Sequence, residues 1–169
     1  MPDYGHPLEF GYFLLPDSAD PAATLATARL LDEFGYDFIG VQDHPYNPGH
    51  LDALSLLAVI LGQTERVRVF PTVANLGMRP PAMLAKAAAS LDQLSGGRFE
   101  LGLGADGFSE PIVAMGSEAR SPGENVQALI EAIEIIRAMW SGASAVHLSV
   151  VIDGAALEAL HRIYMCRAD

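Results

Sequence analysis

Cysteine is almost absent from this 169-residue chain, which carries only Cys166. A single thiol cannot close an internal disulfide, so the fold has to rest on an apolar core, and a reducing compartment suits it. Basic residues are also scarce: 10 Lys+Arg stand against 21 Asp+Glu, for a formal net charge of −11. So acidic a surface repels phosphate backbones and anionic membranes, and no nucleic-acid or membrane partner is expected. The longest apolar run, Ala53 to Leu61, falls well short of the roughly 20 residues that span a bilayer. The opening MPDYGH has no basic region leading into an apolar stretch, so no secretory signal is expected. The sequence therefore leads us to expect a soluble, cytoplasmic protein.

What the chain does have is apolar substance and a regular alternation. Hydrophobic residues make up 50% and charged residues 18%, enough to build one domain around its own core. Leu8 to Leu15 is short, aromatic and stopped by Pro16-Asp17, which predicts a buried strand. Asp20-Pro21 then supplies an N-cap and a proline for the first helical turn, Leu25, Ala28, Leu31 and Phe34 recur at helical spacing, and Gly35 stops the helix. A second strand is predicted over Phe38 to Val41, followed by a helix capped by Asp52. A third spans Val67 to Val73, and its helix opens at Pro80-Pro81 and closes at Ser95-Gly96-Gly97. A fourth runs from Arg98 to Leu103. Ser121-Pro122-Gly123-Glu124 then reads as a capping box before a helix with Val126, Leu129, Ile130, Ile133, Ile136 and Trp140 on one stripe.

Counted from Phe10, Phe38, Val67 and Arg98, the predicted strands are spaced 28, 29 and 31 residues apart, with a helix in every gap and no two-residue hairpin turn. Neighbouring strands should therefore be parallel and joined by right-handed helical crossovers. A complete eight-stranded barrel needs roughly 250 residues. The remaining chain has room for one more strand, Val146 to Ile152, and one short helix, Ala155 to Met165, giving about five units. Spacing alone ranks an open doubly wound sheet first.

In either architecture the chemistry belongs at the carboxyl ends of the strands. After strand two comes Gln42-Asp43-His44-Pro45-Tyr46. An Asp-His pair there can donate a proton, bind substrate or form half of a metal site, or it can simply shape the loop through local hydrogen bonds. Asp43, His44, His50 and Asp52 could be imagined around a metal, but no H-x-H, H-E-x-x-H or cysteine pattern supports one, and no metal is expected. After strand three, Thr72 and Asn75 flank small residues, and Asn75 is also a natural Asx-turn former. After strand four, Gly102-Leu103-Gly104-Ala105-Asp106-Gly107 fits the letters of G-x-G-x-x-G in the wrong context: it lies in the fourth unit, and Pro111 interrupts the segment beyond it. A glycine-lined strand end against which a planar ring can lie is the better reading. There is no G-x-S-x-G elbow, and Cys166 sits near the end of the chain.

Taken together, FGYFLLPD, GYDFIGVQDHPY, VRVFPTVANLGMRPPAMLAKAAASLDQLSGGRFELGLGA and SPGENVQALIEAIEIIRAMWSG resemble the N-terminal half of the luciferase-like family of flavin-dependent oxidoreductases. That family includes bacterial luciferase, FMN-dependent monooxygenases and enzymes of the deazaflavin coenzyme F420. The resemblance implies α/β architecture of TIM-barrel lineage, with parallel (β/α) units, about five strands and an incomplete barrel, and so displaces the open doubly wound sheet. It implies that His44 lines the substrate and flavin pocket, with Asp43 its acidic neighbour, the two forming the catalytic pair. It places a non-prolyl cis peptide at Thr72-Val73, behind the flavin ring, and sets Asn75, Gly104 and Ala105 along the ring and ribityl chain. The expected cofactor is FMN or F420, and the expected activity an oxidoreductase or monooxygenase reaction on a small-molecule substrate. Near the strand ends, Arg79 and Arg120 are the basic residues placed to meet a cofactor phosphate. The alternative is a non-catalytic half-barrel subunit that binds flavin or another polypeptide.

Asp106 and Gly107 depart from the family pattern, and so does everything after Gly142. Residues 1–142 are expected to form the luciferase-like half-barrel and residues 143–169 a divergent strand-helix segment of the same domain, arising by truncation, frameshift or divergence. A half-barrel leaves strand edges and apolar side chains uncovered, so self-association, most simply a homodimer, is expected.

Overall fold

The structure, a computed structural model, describes Gly5, residues 8–105, Gly107, residues 109–141 and the main chain of the strand at 147–150. Among these residues, five parallel strands and five helices alternate: β1 (Gly11–Leu14), α1 (Pro21–Glu33), β2 (Phe38–Val41), α2 (Ala53–Gln63), β3 (Arg68–Pro71), α3 (Pro81–Ser95), β4 (Glu100–Leu103), α4 (Ser109–Ala114), α5 (Pro122–Trp140) and β5 (His147–Val150). The helix expected over 155–165 and the side chain of Asp106 lie outside the described residues.

Local chemistry accounts for the helix starts. Asp20 accepts from Ala23 N ahead of α1, Asp52 accepts from Ser55 N ahead of α2, and Ser121 with Glu124 forms the complete capping box of α5. Each satisfies donors that a first turn leaves without a helical partner. At the far end of α3, Gly96 and Gly97 both take positive φ, 72° and 89°, and turn the chain toward β4. Arg98 then reaches back over α2, donating to Leu61 O at 2.8 Å and Thr64 Oγ1 at 3.1 Å. The Leu94-Ser95-Gly96-Gly97-Arg98 segment is thus a splice between α3, α2 and β4, at the amino ends of the strands. The short helix α4 is not expected from the sequence, because Pro111 reads as an interruption; Pro111 occupies the third helical position, where a missing N–H costs nothing.

Strand order decides between the two parallel architectures. β1 pairs with β2 and β2 with β3, while β4 pairs with β5, all parallel. Parallel bridges Val69↔Phe99 and Ala74↔Leu103 join β3 to β4, so the sequence order 1-2-3-4-5 is also the spatial order. A doubly wound sheet reverses direction at a switch point; this one never does. The helices keep the same order, with α2 touching α1 and α3, and α3 packing on α5. Such an array is an open segment of a barrel wall.

The core lies between strands and helices. Ile39, Val41, Val69, Leu101 and Leu103 meet Leu57, Ile60, Leu84, Leu129, Ile133 and Ile136, all essentially without solvent exposure. Trp140 closes its edge and donates its indole N–H to Ala85 O at 3.1 Å. The prediction of a buried first strand is corrected: β1 exposes three of its four residues, and Phe10 and Phe13 are 65% and 56% exposed. Among the described residues β1 is an edge strand with β2 as its only partner, so no further strand covers Phe10 and Phe13. Phe34, expected on the buried stripe of α1, is likewise exposed, because it serves as the C-cap. No helix among the described residues is long and apolar enough to cross a membrane.

Candidate functional site

The carboxyl ends of β2, β3 and β4 lie side by side, and the residues singled out from the sequence gather there. Thr72 N donates to Val41 O at 2.8 Å, and Ala74 N donates to Gly102 O at 2.8 Å, so the chain leaving β3 is held by both neighbours. Between the Val69↔Phe99 and Ala74↔Leu103 bridges, the β3 side carries one residue more than the β4 side. That is a bulge, a device that ends regular pairing and redirects the chain at a strand end. The Thr72-Val73 peptide bond lies inside it and is cis.

The bulge explains the glycines of β4. A Cβ on Gly102 would collide with the Pro71 carbonyl oxygen, and one on Gly104 would collide with the Val73 side chain. The open face expected over this Gly-x-Gly is therefore occupied by the protein itself: the two missing side chains make room for the extra residue of β3. Gly104 is buried and Ala105 packs against the core, so with Val73 this strand end carries no charged side chain.

Asp43 is the anchor of the site. Its side chain is 1% exposed and accepts three hydrogen bonds: from Asn75 N at 2.9 Å, Arg79 Nε at 2.6 Å and Arg79 Nη2 at 2.8 Å. Arg79 also donates to Asp52 Oδ1 at 2.6 Å, so one guanidinium joins two carboxylates. The hydrogen bonding of Arg79 to Asp43 is the largest influence raising the Arg79 pKa above its ordinary value, and it outweighs burial. At Asp52 burial acts to raise the pKa, but hydrogen bonds from Arg79 and Ser55 together bring it below the ordinary carboxylate range. The sequence offers Arg79 as a phosphate partner and hides this role, since nothing in it shows that residues 43 and 79 meet. Asn75 is buried; its Oδ1 accepts from Met78 N at 3.1 Å, the local turn that its residue type suggests.

His44 projects from the same loop and is half-buried. Its ring stacks with Tyr46, centroids 5.3 Å apart, and with His50 at 6.3 Å. His50 is in turn contacted by the amides of Asn47 at 3.0 Å and Gln42 at 3.3 Å. Burial holds the His44 pKa below its ordinary 6.5, His50 pushes in the same direction, and Asp43 opposes them. At neutral pH His44 is thus a neutral imidazole, able to accept or donate a hydrogen bond. No group of three or more His, Cys, Asp or Glu among the described residues is arranged to hold a metal.

A singly wound parallel array with its polar residues at the strand ends is a segment of a (β/α)-barrel type of scaffold. The chain belongs to the luciferase-like monooxygenase family, whose model matches residues 8–158. It is 33% identical over 142 residues to an F420-dependent glucose-6-phosphate dehydrogenase of Microbacterium testaceum, an alignment covering 80% of this chain and 42% of that protein. It is 31% identical over 144 residues to the 4-hydroxyprotoasukamycin monooxygenase of Streptomyces nodosus subsp. asukaensis, covering 80% and 38%. Among solved structures, an F420-dependent secondary alcohol dehydrogenase in complex with an F420–acetone adduct superposes with a TM-score of 0.70 at 26% identity, covering 78% of this chain and 42% of that one. A monooxygenase from Streptomyces bottropensis, at 22% identity, shares the fold with a TM-score of 0.73, covering 92% and 57%. The chain thus spans less than half the length of these curated relatives.

Proposed function

We propose that this chain forms one wall of a flavin or deazaflavin site in an oxidoreductase acting on a small molecule. The observation that carries the reading is the uncharged strand end of Val73, Gly104 and Ala105, shaped by a bulge at the carboxyl end of β3, next to β2, whose own carboxyl end leads into the loop of His44. An uncharged strand end suits an apolar ring system. Thr72, Val73 and Asn75 would hold the ring from β3, with the main chain of Gly104 and Ala105 from β4. When bound, FMN or F420 would supply hydride transfer, and the protein's contribution is position and exclusion of water. His44, neutral at pH 7, would anchor the substrate or hand it a proton. Asp43, with both oxygens engaged, supports its neighbour rather than exchanging protons itself. The relatives support the cofactor class, since F420-dependent dehydrogenases and a monooxygenase stand among them.

One observation favours the second reading, a non-catalytic subunit: Arg79, offered by the sequence as a phosphate partner, is tied through Nε and Nη2 to two carboxylates. Titrating the purified chain with FMN and with F420, followed by quenching of cofactor fluorescence, separates the two. Saturable quenching by one of them is expected; a flat response to both removes the site from this chain alone. We also infer self-association, supported by the exposed aromatic residues along β1. Sedimentation velocity at micromolar concentration should show a dimer or larger species, and a monomer overturns this.

A further inference from the structure

We propose that Arg79 is a positioning residue of this site, a latch that fastens the loop carrying His44 to the loop after β3. Three observations lead there. The guanidinium grips Asp43 through two nitrogens, and Asp43 precedes His44 in the chain. The same group holds Asp52, the N-cap of α2, so both ends of the loop from Asp43 to Asp52 are pinned by one side chain. A closed cycle completes the latch: Asn75 N donates to Asp43, Arg79 N donates to Asn75 O at 3.0 Å, and the Arg79 side chain donates to Asp43. A planar fork suits this task, because a lysine ammonium supplies the charge without the paired geometry. Two carboxylates, one buried and one exposed, already balance the charge of this cation and occupy its Nε and Nη2 donors.

The latch has a consequence for His44, whose neighbours include Asp43, His50 and Tyr46. With Arg79 in place, the Asp43 charge is largely neutralised and the imidazole remains uncharged near pH 7. Its use in chemistry rests on the function proposed above, but the latch can be tested on the full chain without any cofactor.

The experiment is an NMR titration of the His44 ring, assigned by its absence in His44→Gln, together with hydrogen exchange at the Asn75 amide. In Arg79→Met the unpaired Asp43 charge should raise the His44 midpoint by about one pH unit. Exchange at Asn75 should quicken about tenfold or more, because Asp43, still the acceptor of its amide, is no longer held in place by the Arg79 fork. Arg79→Lys should restore most of the midpoint but not the slow exchange, a split that a merely structural role would not produce. If Arg79→Met does not fold, the pair Asp43→Asn with Arg79→Met removes both charges and should fold with the same rapid Asn75 exchange. Wild-type exchange in the double variant, or an unmoved midpoint in a folded Arg79→Met, overturns the latch. Failure of wild-type protein to bind FMN or F420 would count against the proposed function and leave these results standing.

Discussion

Asp43→Ala should lower the unfolding free energy by about 3–5 kcal/mol, because it removes one partner of a buried ion pair and strands the other. The Asp43 side chain is 1% exposed and Arg79 19% exposed, so water cannot replace the lost carboxylate easily. The substitution also takes the acceptor from Asn75 N, a buried donor. Asp52 remains, but it is 44% exposed and already accepts from Ser55. Asp43→Asn keeps an oxygen at the same place and should cost clearly less. Urea denaturation followed by circular dichroism measures both, and a loss below about 1 kcal/mol in Asp43→Ala would mean that the pair is an exposed one, of the kind that contributes little.

Gly102→Ala carries the next largest effect, a loss of about 3 kcal/mol, at the upper end of what overpacking costs. The obstacle is the Pro71 carbonyl oxygen, a main-chain atom of the bulge that cannot rotate aside, so β3 and β4 would have to separate. The same change at Gly62 gives the control. Gly62 lies exposed near the end of α2 with nothing around a new Cβ, and Gly62→Ala should stabilise by about 0.5 kcal/mol. Thermal unfolding of the two variants should therefore move in opposite directions; if both moved the same way, the β4 glycines would not be answering to the bulge.

Much of the site is visible in the sequence as residue types and little of it as relationships. His44 and Asp43 stand out because a polar pair follows an apolar strand, and Asn75 because it ends another. The Gly-x-Gly of β4 is legible as close approach, but what approaches is the extra residue of β3, and no pattern within 102–107 could reveal that. Arg79 is conspicuous for its charge, and its partners lie 36 and 27 residues away in the chain. Short apolar runs also overstate the strands: Leu8 to Leu15 reads as one buried element, while the ladder pairs only Gly11–Leu14 and leaves most of it exposed.

The amino-acid sequence by itself determined the alternation of strand and helix, the helix caps, the apolar stripes and the family resemblance. The first three rest on contacts a few residues long, which periodicity and capping chemistry record directly, and the resemblance rests on whole matching segments. Tertiary structure alone decided the winding of the sheet, the bulge at Thr72-Val73 and the partners of Arg79. Equal spacing of units is compatible with two parallel architectures, and only hydrogen bonds between strands some 30 residues apart can choose one. The same holds for the site: a carboxylate acquires its role from the cation that folding brings to it.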